Sequence, residues 1–299
     1  MKLSKRNLHK KEKLTALAFV ALPVLGFVVF TLLSLVAVVY FSFNDYNIFR
    51  DELTPNGLQN YVDLFTNPTY SDAFGRSIFN TVLLLVSIPL GMIAGLALAA
   101  VLQSKAVKKA SKFFQVLYYL PAVTSAVAVN IVFRYIFNPE YGFINTLFNV
   151  EIPWFANDWL VKVAIVLKNV WASMGTSMIL YISGMLAIPQ SYYESADVDG
   201  ASATHKFFKI TLPLLTPTTF YIIITNVIGG LQSYADAKVF GNGTSGSQTI
   251  VWFIWEYGLN QGKQGLASAA SIILAVAIMI VTILQFKFSD RWVYGEEKQ

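Results

Sequence analysis

Asn169, Ser173, Thr176 and Ser177 follow one another at intervals of four, three and one, and Thr225, Gly229, Gln232 and Ser233 repeat that spacing. At 3.6 residues per turn, each set falls on one helix face. A further polar group, Pro121, Thr124, Ser125 and Asn130, lies upstream, and Asn226 adjoins the last set. Amides and hydroxyls donate and accept hydrogen bonds without carrying charge, so these faces suit either a polar solute or a neighbouring helix. They supply no nucleophile. The chain has no cysteine, and its two histidines, His9 and His205, both stand among lysines, where a solvated imidazole is the expected role. Disulfides and thiolate metal sites are excluded, and a zinc centre or hydrolytic triad has almost nothing to build on.

The elements that must carry these faces are membrane helices. Of 299 residues, 55% are hydrophobic and 13% charged, against roughly 45–50% and 25% in soluble domains. Apolar runs long enough to cross a bilayer cover Leu14–Phe43, Ser77–Leu102, Phe113–Phe137, Leu160–Ile188, Leu214–Tyr234 and Leu266–Phe288. The expected fold class is therefore all-α: a polytopic membrane protein of six transmembrane helices, with a basic leader 1–13, an inner loop 189–213 and a tail 289–299. The first run, about 30 residues, exceeds a secretory apolar core and reads as an uncleaved span.

Charge sets the orientation. With both termini on one side, that side holds Lys2, Lys5, Arg6, Lys10, Lys11, Lys13, Lys105, Lys108, Lys109, Lys112, Lys206, Lys209, Lys287, Arg291 and Lys298. The opposite side holds Arg50, Arg76, Lys238 and Lys263. The positive-inside rule then predicts cytoplasmic termini and a multi-pass protein of a bacterial-type plasma membrane. Arg134 and Lys162 lie near outer span ends, where snorkelling is expected. Lys168 is deeper and either snorkels or answers an acidic solute such as a uronate.

Gly91 and Gly95 form a GxxxG pair read as close helix packing. Pro121, beside the polar group of span three, is the proline expected to kink its helix functionally. Gly241–Gly246 matches GxGxxG, but it follows a span without a strand or crossover unit and reads as a flexible outer turn. No GxxxxGK[ST] occurs, so any ATP dependence must come from a partner.

The inner loop carries the most specific signal. Glu194-Ser195-Ala196-Asp197-Val198-Asp199-Gly200 is followed, nine residues on, by Ile210-Thr211-Leu212-Pro213. Ser191 is placed to cap a short helix here, and Gly200 to stop it and let a partner approach. The segment resembles the EAA signature of ABC importer permeases, with Ser195 replacing one alanine. Three flanks, Phe137–Asn145, Gly200-Ala201 and Arg291–Tyr294, extend the resemblance to carbohydrate importers similar to the larger maltose-transporter transmembrane subunit and its multi-sugar and glycerol-phosphate relatives. Such relatives often carry a TGGGP-like turn where this chain reads Phe240-Gly241-Asn242-Gly243-Thr244.

That resemblance implies the type I importer permease fold and a transport subunit without its own ATPase site. It assigns Glu194, Ser195, Ala196, Asp199 and Gly200 to coupling with the ATPase. It assigns Thr124, Ser125, Asn169, Ser173, Thr176, Asn226, Gly229, Gly230, Gln232 and Ser233 to a sugar pathway, with Trp171 and Tyr234 as stacking rings. It implies a second, different permease subunit, two ATP-binding subunits that hold ATP and Mg, and an extracellular solute-binding protein. No cofactor on this chain and no nucleic acid are expected. A permease for a non-sugar solute is the nearest alternative. An intramembrane enzyme would need paired carboxylates, a histidine-rich metal site or a Ser/Lys dyad at membrane depth, and a secondary carrier intramembrane acids or inverted repeats; no acidic residue falls within the predicted spans and both histidines lie outside them.

Overall fold

The computed structural model describes residues 5–104, 107, 109–241 and 246–294. The beginning of the leader, Lys105, Lys108, most of the Gly241–Gly246 repeat and Lys298 lie outside the described residues, as do the side chains of 5–11 and Leu14.

Among the described residues, four helices are long and apolar enough to span a membrane: Thr15–Ser42, Ser71–Gln103, Asp158–Ala187 and Gln264–Ser289. Two bent pairs, Ser111–Val123 with Ala126–Ile136 and Ala203–Leu214 with Thr216–Leu231, raise the number to six if each pair is one span. The protein is all-α apart from a hairpin of Asn44–Asn47 and Glu52–Pro55.

The chain divides into two units, the first comprising 1–67 and 254–273. Its apolar helix Thr15–Ser42 buries none of its most apolar window within the chain. The hairpin is anchored by Asn60, whose Nδ2 donates to the carbonyls of Ser42 and Asn44 at 3.0 and 2.8 Å. The Tyr61 hydroxyl donates to Ser42 Oγ at 2.8 Å, and the Phe41 ring stacks on Tyr46 at 4.8 Å, so hydrogen bonds and ring contacts together tie the end of the first span.

The second unit, 68–253 and 274–299, is built around Asp158–Ala187. Ser87–Gln103 lies along that helix, and the glycines of span two explain how closely. A methyl group on Gly91 would collide with Ser173 Oγ, and one on Gly95 with Ser177 and the Met174 carbonyl. Close backbone approach at small residues replaces the hydrophobic driving force that lipid removes. Met92, Ala99, Met178, Tyr181, Ile182, Leu215 and Ile222 fill the core beside this contact.

Span three departs from a kink at Pro121. Its two helices are bent by 101°, and the break is at Thr124, which is extended, and Ser125, which is not helical. Pro121 leaves the Leu117 carbonyl without its helical donor, and Thr124 Oγ1 takes the Leu120 carbonyl at 2.9 Å, so the turn unwinds just past the proline. The segment that follows is a folded cap. Asn138 Oδ1 accepts from the Glu140 and Tyr141 amides, and Asn145 accepts from Trp154 Nε1 at 2.9 Å while donating to Pro139 and Ile152.

Candidate functional site

Two features of the second unit position the functional side chains: a polar cavity between spans, and an exposed short helix after span four. The cavity has a volume of about 380 Å³, within the range of ligand sites. Its polar lining comprises Ser87, Lys168, Asn169, Ser173, Thr225, Asn226, Ser233, Tyr234 and Asp236, with Gly229 and Gly230 in the wall. Asn226 spends its Nδ2 on the Ile222 carbonyl at 2.9 Å, which leaves Oδ1 to accept from a solute. A methyl on Gly229 would meet nothing within 4 Å, whereas one on Gly230 would strike Leu85. The first glycine therefore keeps the cavity wide, and the second lets two helices meet.

Of the residues assigned to the pathway, Asn169, Ser173, Asn226, Gly229, Gly230 and Ser233 come together here. Four do not. Thr124 lines a separate apolar cavity with Pro121, Val129, Val132, Phe133 and Trp171. Ser125 is exposed at the bend, Thr176 is exposed further along span four, and Gln232 is exposed just beyond the end of Thr216–Leu231. Trp171 also faces away, its ring 5.0 Å from that of Phe133. A step of two residues turns a helix by about 200°, so Trp171 and Asn169 point to opposite sides. Tyr234 lies in the cavity wall.

Lys168 neither snorkels nor stands free. Its Nζ lies 2.5 Å from Asp236 Oδ1, with both side chains less than a tenth exposed. Asn130 Nδ2 donates to the same oxygen at 2.9 Å. Asp236 follows the end of span five and so lies outside every apolar run. The short helix Ala235–Phe240 nevertheless packs on Ala126–Ile136 and buries it. A deep unpartnered lysine was the available signal for a buried acid. Lys162 is likewise buried, with its ammonium 4.9 Å from the Trp159 ring centre and 5.6 Å from that of Phe79.

The exposed helix is Gln190–Val198. It begins directly after Pro189, with no side-chain cap, so Ser191 lies inside it rather than capping it. Proline restricts Ile188 to an extended conformation, which ends span four and starts the next helix in a single step. Its end closes as a Schellman motif: Gly200 N–H donates to the Asp197 carbonyl at 3.1 Å and Ala201 N–H to the Ala196 carbonyl at 2.9 Å. Gly200 takes φ +71°, with nothing within 4 Å of an added Cβ. Glu194, Ser195, Asp199 and Gly200 are exposed and Ala196 half-buried, while Val198 is 89% exposed. The following residues are not the unstructured end of a loop, because Ala203–Leu214 is helical and meets Thr216–Leu231 at 57°.

A family model described as "binding-protein-dependent transport system inner membrane component" matches residues 87–294, which include the polar lining of the cavity and the exposed helix. The chain belongs to this family. It is 31% identical to the probable ABC transporter permease protein YesP of Bacillus subtilis, over 99% of this chain and 97% of that protein. It is 32% identical to the arabinooligosaccharides transport system permease protein AraP of the same organism, over 95% and 91%. A bacterial ABC transporter chain involved in the import of the acidic polysaccharide alginate shares the fold, with a TM-score of 0.82 and 23% identity over 96% of this permease and all of that chain. This permease is thus a multi-pass integral membrane protein.

Proposed function

We propose that this permease is the transmembrane subunit of an ATP-driven importer for a sugar or oligosaccharide delivered by an extracellular solute-binding protein. The observation that carries the reading is the cavity in which Asn169, Ser173, Asn226, Ser233 and Tyr234 offer amides, hydroxyls and an aromatic ring. Such groups suit a hydroxyl-rich solute, which is recognised by many hydrogen bonds and by stacking. The name of the arabinooligosaccharide relative supports the carbohydrate class, and so does similarity at 28% identity to the sn-glycerol-3-phosphate permease UgpA of Escherichia coli.

Coupling runs through Gln190–Val198. Glu194, Ser195, Ala196, Asp199 and Gly200 contact one of two ATP-binding subunits, which hold ATP and Mg, and their role is mechanical rather than chemical. A second, different permease subunit completes the pore. The basic excess on the termini side supports cytoplasmic termini and an exposed helix that faces the ATPase. As the ATPases close, the helix moves with them and the bent spans three and five alternate between inward-open and outward-open states.

The test is ATPase activity of the co-purified complex in nanodiscs with its binding protein and a panel of neutral and acidic sugars. Stimulation by one sugar-loaded binding protein is the expected result. Stimulation only by a non-sugar solute overturns the carbohydrate class, and failure of any ATPase to co-purify overturns the coupling role.

A further inference from the structure

Lys168 and Asp236 are the only ionic groups lining the polar cavity among the described residues, and they face each other at 2.5 Å. They come from segments 68 residues apart, so only the assembled helices bring them together. We propose that they form a specificity-determining pair which cancels charge at the cavity wall and restricts this permease to uncharged solutes. This proposal rests on the carbohydrate reading of the cavity and adds the charge class of the cargo to it.

Asn130 fixes how the pair is oriented. Asn130 is 1% exposed, its Nδ2 donates to Asp236 Oδ1, and its own Oδ1 has no partner among the described residues. Reversing the amide would set oxygen against carboxylate oxygen. The amide therefore stays with its donor on Asp236, so that one oxygen, Oδ1, receives both Lys168 and Asn130. The second oxygen, Oδ2, has only Ser233 Oγ at 3.5 Å and keeps acceptor capacity. Lys168 Nζ likewise retains N–H groups beyond the one used by Asp236.

A hydroxyl-bearing solute can use both: its oxygen accepts from Lys168 and its O–H donates to Asp236 Oδ2. A carboxylate-bearing solute meets a lysine whose charge is already spent and an acid of its own sign. It would lose its hydration without gaining a counter-charge, which is the costly case for a desolvated ion. The related fold of an alginate importer leaves the sign of the cargo open. In this chain the pair decides it.

The experiment uses the assembled complex in nanodiscs, without binding protein, and saturation-transfer NMR with arabinotriose, maltotriose and trigalacturonate as size-matched probes. At a mildly acidic pH that keeps an amine protonated, the wild type is expected to bind a neutral trisaccharide and to exclude trigalacturonate. Asp236→Asn frees Lys168 and should raise trigalacturonate affinity by about tenfold or more at low salt, with the gain fading at high salt. Lys168→Gln with Asp236→Asn restores neutrality and should abolish that gain. Equal binding of neutral and anionic probes by the wild type overturns the proposal alone, even if no variant assembles. Binding of none of the probes by the wild type overturns the carbohydrate reading and this proposal with it.

Discussion

The Tyr193 hydroxyl lies 2.9 Å from Thr211 Oγ1, joining the exposed helix Gln190–Val198 to the segment that leads into span five. Thr211 is buried and Tyr193 half-buried, and the Lys206–Asp197 ion pair at 2.6 Å bridges the same junction closer to solvent. A push on the exposed helix therefore reaches the base of Thr216–Leu231 through two side-chain contacts as well as through the backbone.

Tyr193→Phe removes one of those contacts at a stability cost of about 1 kcal/mol, the net worth of a single hydrogen bond. We expect the complex to assemble normally but to hydrolyse more ATP per solute imported. The ratio, measured in proteoliposomes, is the readout. An unchanged ratio would assign the bond to local stability alone.

Two substitutions at Gly200 separate backbone strain from docking. With φ at +71° and open space around the Cα, Gly200→Ala should cost about 1–2 kcal/mol through the backbone alone. Gly200→Trp adds a large ring to an exposed surface without an internal clash. The expected pattern is mild loss of import with alanine, and with tryptophan a deep loss while ATP hydrolysis persists. Equal impairment by both would mean that the turn matters and the docking face does not.

Breaking the buried pair should be far more harmful than deleting it. Asp236→Leu leaves Lys168 buried without a counter-charge, a loss of about 3–5 kcal/mol, whereas Lys168→Met with Asp236→Leu removes the problem and should recover most of it. Thermal unfolding in detergent, run as a double-mutant cycle, measures the coupling. Additive losses would contradict direct pairing.

Glycines at two places should respond in opposite ways. A methyl on Gly175 would run into the Tyr118 carbonyl, so Gly175→Ala should cost about 1–3 kcal/mol as backbone is forced apart. Gly229→Ala meets nothing and should leave the melting temperature unchanged while narrowing the cavity and weakening uptake. Normal uptake in that variant would exclude Gly229 from the solute path.

Much of the cavity was legible from helix periodicity, and its errors have identifiable causes. Asn169 and Ser173 share a face and a depth. Thr176 shares the face but lies about 10 Å further along the axis than Asn169, at 1.5 Å per residue, and so falls beyond the cavity. Trp171, two residues from Asn169, is turned by about 200° from it and lines the other cavity. Asp236 was missed because apolar runs define where a span ends, not where the chain goes next.

The sequence by itself determined the apolar helices, the lack of a phosphate-binding loop, the excess of basic residues on one side and the signature from Glu194 to Pro213. These are local quantities: insertion sums hydrophobicity over about 20 residues, and a short helix with its glycine stop needs only neighbours in the chain. Tertiary structure alone decided the 101° bend at Thr124–Ser125, the division of polar faces between cavity and surface, and the pairing of Lys168 with Asp236. Each depends on which helices lie side by side, because a charge buried within a helical bundle is tolerable only where packing delivers its partner.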